Sequence, residues 1–179
     1  MTNFFRMTSL AATVAALALT ATPAMAVTGP TIVQPDSQAK ATARIVKPLT
    51  LTWVRDLDLG TIVLSGANSW SGAVVGIDKA GVFSCTDSNV TCSGTTKNAE
   101  YNITGTNNQV VTVTAPNVTL TDQNDTTKTL TLAVDAPKTV TLANSGTNPT
   151  PLDIGGSVTV ASNTPDGTYT GTFAVTVNY

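Results

Sequence analysis

The sequence predicts an all-β chain, folded as an antiparallel β-sandwich of immunoglobulin-like kind. Three observations predict it. Threonine is the commonest residue, at 35 of 179 positions, and threonine and valine favour a pleated, half-buried strand. Apolar and polar residues alternate with period two in short runs, which turns one face of each run toward a core. Turn-forming Gly, Asn, Asp and Pro interrupt the runs about every ten residues, the spacing of sandwich strands.

The first element is a leader. Residues 1–26 have the form of a secretory signal peptide: Arg6, an apolar run over 10–19, a break at Thr20-Ala-Thr-Pro23, and small residues in Ala24-Met-Ala26 before the cleavage point. A membrane span needs about 20 uninterrupted apolar residues. The break denies that, so no span is expected after cleavage. Removing 26 of 179 residues leaves 153, and losing Arg6 leaves eight basic against eleven acidic groups, a net charge of −3. One domain of that length buries a real core. It is expected over residues 48–179, with residues 27–47 as an N-terminal extension.

The elements follow in order. Ala39-Lys-Ala-Thr-Ala-Arg-Ile45 alternates until Pro48 ends it, and Leu49, Leu51 and Trp53 continue on one face. Leu57, Leu59, Ile62 and Leu64 flank Gly60, where the strand bends, and Ser65-Gly-Ala-Asn68 is a turn. Residues 73–77 and 82–86 are short strands around Asp78-Lys-Ala-Gly81. Tyr101 and Ile103 lead into Gly105-Thr-Asn-Asn108, a hairpin-like turn, and Val111 and Val113 return from it. Strands at 118–121, 130–134, 140–142 and 158–160 come next, with Asp153-Ile-Gly-Gly156 as a turn before the last.

The final run is the most regular. Tyr169, Gly171, Phe173, Val175, Val177 and Tyr179 share one face, and Thr170, Thr172, Ala174, Thr176 and Asn178 share the other. It carries no charge, whereas an exposed edge strand is usually protected by lysine or proline. Such a strand either lies inside a sheet or awaits a partner strand.

Chemistry-bearing residues are few. Without histidine there is no Ser-His-Asp or Cys-His nucleophile and no imidazole metal site. A net charge of −2 supplies no basic footprint for nucleic acid. The one glutamate, Glu100, has no designated carboxylate partner for glycoside hydrolysis. Asp56-Leu-Asp58-Leu-Gly60 has the start of a calcium loop but lacks the remaining oxygen ligands and the closing glutamate. No catalytic residue, metal or cofactor is therefore expected, and the protein is not expected to be an enzyme. Cys85 and Cys92 enclose the turn formers Asp87, Ser88 and Asn89. In an oxidising compartment the pair is expected as a disulfide closing a small loop. Redox work would take a CxxC spacing at a helix start.

Two motifs carry a resemblance. Asp166-Gly-Thr-Tyr-Thr-Gly-Thr-Phe-Ala-Val-Thr-Val-Asn-Tyr179 resembles the C-terminal strand of chaperone–usher fimbrial subunits and of spore coat protein U-type domains. Lys47-Pro-Leu-Thr-Leu-Thr52, followed by Asp56-Leu-Asp-Leu-Gly-Thr-Ile62, resembles the domain-of-unknown-function family 4402, with Leu59 where that pattern has phenylalanine. The resemblance implies a sandwich lacking its last strand. A periplasmic chaperone fills the gap first, and the extension of the next subunit replaces it at an outer-membrane usher. This is β-augmentation, in which main-chain hydrogen bonds bind and alternate side chains enter pockets.

On that basis the groove edge is Tyr169, Gly171, Phe173, Val175, Val177 and Tyr179. The donor lies in residues 27–46, with Ala39, Ala41, Ala43 and Ile45 as its inward face and Ile32 and Val33 as a second centre. Repeating the head-to-tail contact gives an open filament. The implied partners are neighbouring copies, the chaperone and the usher, and the implied route is the periplasm and then the cell surface. The alternative is a secreted monomeric sandwich used as a binding or adhesion module through its loops. Residues 27–46 would then feed an intramolecular first strand.

Overall fold

Period-two alternation becomes ladder pairing along the chain, and no helix occurs among the described residues. The computed structural model describes residues 38–66, 68–143 and 148–179. The chain divides into two units, Met1–Thr42 and Ala43–Tyr179. Of the first, residues 38–42 are described, and they are exposed and in no strand. The expected signal peptide and the Ile32–Val33 centre lie outside the described residues, as does Ala67 of the expected 65–68 turn.

Thirteen strands occur among the described residues of the second unit. The first six are β1 (Thr50–Arg55), β2 (Thr61–Leu64), β3 (Ala73–Ile77), β4 (Phe83–Ser84), β5 (Val90–Ser93) and β6 (Ala99–Thr104). Then come β7 (Val110–Thr114), β8 (Val118–Asp122), β9 (Thr129–Asp135) and β10 (Thr139–Thr141). The last are β11 (Thr150–Val160), β12 (Tyr169–Thr170) and β13 (Thr176–Asn178).

The largest sheet runs β1-β6-β11-β9-β8-β12, with β3 and β4 branching from β11. A second sheet runs β10-β7-β13, and β2 and β5 form a two-stranded ribbon. All pairings are antiparallel. The arrangement is sandwich-like, with apolar faces meeting in two core clusters. One gathers Val75, Val118, Leu132 and Val158; the other gathers Ile103, Val111, Leu142, Leu152 and Ile154. Leu57, Val134 and Phe173 pack against both. Each fully buried Leu, Ile or Val contributes about 1.5–3 kcal/mol.

Three expectations are corrected. The Gly105–Asn108 segment does not close a hairpin: β6 pairs β1 and β11, whereas β7 pairs β10 and β13. Buried Ile103 and Val111 lie in different sheets and share one core cluster, so the segment crosses from one sheet to the other. Asp153-Ile-Gly-Gly156 is strand, not turn. It lies in the middle of β11, which passes from β6 to β3 and β9 there. Glycine serves close approach at this point, because a Cβ on Gly155 would lie 2.3 Å from the Ile77 carbonyl oxygen. Third, residues 169–179 are not one continuous strand but two short ones, β12 and β13, in different sheets. Other expectations hold: Gly60 bends the chain at φ 70°, and the Gly81 amide donates to the Asp78 carbonyl at 3.0 Å.

Candidate functional site

The final run keeps its alternation although its ladder breaks. Tyr169, Phe173, Val175 and Val177 are half-buried, and Thr170, Thr172, Ala174, Thr176 and Asn178 are exposed; Gly171 and Tyr179, expected on the inward face, are exposed as well. Gly171 lies hard against β8, where a Cβ would sit 2.7 Å from Val118 Cγ1 and 2.8 Å from the Thr119 carbonyl oxygen. β12 pairs β8 alone and β13 pairs β7 alone, and residues 171–175 between them are in no strand. One backbone edge of residues 169–179 therefore has no ladder partner among the described residues. The Tyr179 end is closed. Its hydroxyl donates to the Lys47 carbonyl at 2.5 Å and accepts from the Thr106 amide at 2.8 Å. At Gly105 a Cβ would meet that hydroxyl at 2.7 Å and Leu49 Cδ2 at 2.8 Å, so these side-chain ends would have to shift for any larger residue.

The Tyr169 end is open. A groove of about 1000 Å³ runs between the segment from Thr164 to Phe173 and the segment from Asp56 to Leu64. Its floor includes Leu120, Leu130, Leu132, Val158 and Val160, of which the last three are core residues no more than 4% exposed. Half-buried Leu120 and Leu130 are the part of that floor the channel reaches, with the three core residues beneath them. The second wall is β2, which pairs β5 alone, so both walls offer an edge without a ladder partner. Local geometry sets that wall: Asp58 Oδ1 accepts the Gly60 amide at 2.8 Å. A Cβ at Gly60 would lie 2.5 Å from the Ser93 carbonyl oxygen on β5. At the mouth, exposed Trp53 donates its indole N–H to Asp56 at 3.0 Å. Burial pushes the Tyr101 phenol up from its ordinary pKa, and the Asp56 carboxylate pushes it the same way.

The family profile described as Domain of unknown function (DUF4402) matches residues 49–179. The chain belongs to the DUF4402 family. No curated protein and no solved structure matches it. The matched span contains both groove walls and the floor. It begins two residues beyond Lys47, whose amide donates to Thr106 Oγ1 at 2.6 Å.

The expected donor face lies outside that span. Ala39, Ala41, Ala43 and Ile45 are exposed and in no strand; Ile45 is 92% exposed. Arg44 donates to the Gln109 side chain, and neither Ala43 nor Ile45 lines the groove. Cys85 and Cys92 form the expected disulfide, with Cα atoms 6.3 Å apart. It ties β5, the sole ladder partner of β2, to the end of β4. A disulfide is compatible with an extracytoplasmic protein. Glu100, weighed as a lone acid, is ion-paired with Arg55, which also reaches Asp153 at 3.1 Å.

Of the expected groove edge, Tyr169, Gly171 and Phe173 line this groove and Val175, Val177 and Tyr179 do not, and the β2 wall was not among the expected site residues. The signal for β2 was present as alternating Leu57, Leu59, Ile62 and Leu64 around Gly60. That β2 would border the Tyr169 run depends on which strands pair, and alternation alone does not encode pairing.

Proposed function

We propose that this DUF4402 protein is a structural subunit of an extracellular fimbria or pilus-like filament, assembled by donor-strand complementation. The observation that carries it is the groove between two edges without ladder partners, with half-buried Leu120 and Leu130 on its floor. A strand laid there would meet backbone donors and acceptors on both sides and cover those leucines, which is the chemistry of β-augmentation. The extension of a neighbouring copy is the natural occupant. Residues 27–46 would span about 66 Å when extended, against about 36 Å for residues 169–179, which leaves chain for a linker. A periplasmic chaperone would hold the groove before assembly and an outer-membrane usher would pass the subunit outward. The residues of the groove bind and pack, and the role assigned to them is not enzymatic.

The test removes residues 27–46 and separately replaces single residues. The truncated protein should bind an added donor peptide yet form no heat-sensitive ladder on gels and no filament by electron microscopy. Ile45→Asp should block assembly in the same way, because a charge would enter an apolar channel at a cost of several kcal/mol. Thr42→Asp, on the opposite face, should assemble normally. A truncated protein that stays monomeric and ignores donor peptide would instead mark a self-sufficient binding module.

A further inference from the structure

Three charged residues line the groove, Asp56, Asp58 and Asp166, and all are carboxylates. All three are exposed, and none joins a salt bridge among the described residues. Lys97 pairs with Asp58 through backbone hydrogen bonds only. The channel therefore has an apolar floor and an acidic rim. A complementary occupant is a strand with small apolar side chains on one face and cations on the other.

Charge is segregated along the chain in the same sense. Residues 27–47 hold Lys40, Arg44 and Lys47 against Asp36, a net +2. Residues 48–179 hold five basic against ten acidic residues, a net −5. In Ala39-Lys-Ala-Thr-Ala-Arg-Ile45, Lys40 and Arg44 share the face opposite Ala39, Ala41, Ala43 and Ile45. With that apolar face on the leucine floor, both cations turn up toward the rim, about 13 Å apart along the strand.

We propose that the groove is keyed by charge to the 39–45 segment of a second copy, with Lys40 and Arg44 set against Asp56, Asp58 and Asp166. This rests on the donor-strand function proposed above and adds register and partner choice. Rim charges of this kind act chiefly on encounter rate and on rejection of wrong partners. Within the chain, Arg44 is engaged by Gln109, and the Lys47 carbonyl accepts from the Tyr179 hydroxyl.

The experiment follows elongation of the chain beginning at Val27, by light scattering, at several salt concentrations. Five proteins are compared: the unchanged chain, K40E/R44E, K40Q/R44Q, D56K/D166K and Ile45→Asp. Asp58 is left alone because it holds the Gly60 amide. The unchanged chain should slow about tenfold between low and high salt, as steered association does. K40E/R44E and D56K/D166K should each elongate about tenfold more slowly at low salt and speed up as salt is added. Mixed together, the two should recover elongation at low salt.

K40Q/R44Q should fall between the unchanged chain and the reversal, which separates charge from any loss of folding. Wild-type rate and salt dependence in K40E/R44E would overturn the charge key while leaving the donor strand standing, provided Ile45→Asp still blocks assembly. Failure of the mixture to recover would overturn it too. If Ile45→Asp elongates like the unchanged chain, the donor-strand function itself fails.

Discussion

At Gly155 a methyl group would lie 2.3 Å from both the Asp78 carbonyl carbon and the Ile77 carbonyl oxygen. These are backbone atoms of β3 and the turn after it, so no rotamer change relieves the clash. Gly155→Ala should therefore destabilise the domain by about 2–4 kcal/mol, read as a lowered urea midpoint. Gly66→Ala, with nothing within 4 Å, should change stability by less than about 0.5 kcal/mol. The same contrast explains what single residues disclose in the sequence. Glycine at 60 and 81 has positive φ and marks a bend or turn, as composition suggests. Gly155 and Gly156 carry the same letters but serve close packing inside β11, and a one-dimensional pattern does not separate the two uses. Trp53 shows a similar limit: alternation puts it with Leu49 and Leu51, yet it is 59% exposed. The ladder register of β1 against β6 shifts between Trp53 and Arg55, and a bulge breaks the two-residue period that alternation assumes.

Among elements, the β2–β5 ribbon is the one whose stability matters most to the groove. A two-stranded ribbon is marginal alone. Ile62 and Leu64 reach only half burial, and the Cys85–Cys92 bond fixes β5 to the end of β4. The double variant Cys85→Ser/Cys92→Ser should still fold, losing at most about 2–3 kcal/mol for so short a loop. Its loss should be local. Amide exchange should quicken in Thr61–Leu64 and Val90–Ser93 while Leu152 and Ile154 in β11 stay protected, and uniform quickening would contradict this role for the bond. Elements were legible to different degrees for physical reasons. The β8–β9 hairpin pairs neighbouring runs, Val118 opposite Leu132 and Leu120 opposite Leu130, so local alternation suffices. The long β11 pairs three partners in turn, and its first half carries Pro151 and Asp153, which composition assigns to loops. The ladder break at residues 171–175 has no composition signal at all, because it arises when the strand leaves β8 for β7.

For the whole molecule, the central feature is that two strand edges face one channel over half-buried Leu120 and Leu130. Backbone groups without ladder partners must find water or another chain, and a flat uncharged edge favours another chain. An all-β chain with a disulfide was legible from threonine, alternation and the two cysteines. The channel was not, since it exists only where β2 and β12, far apart in sequence, come to border the same leucines. The most direct test is amide hydrogen exchange on the chain beginning at Val27, comparing assembled with dissociated protein. Donor-strand filling predicts that the amides of residues 171–175, and those of Thr61–Leu64 on the edge away from β5, exchange freely when dissociated and become protected together on assembly, with residues 39–45 gaining protection in step. Equal exchange of these amides in both states, or full protection already present in a monomer, would contradict it.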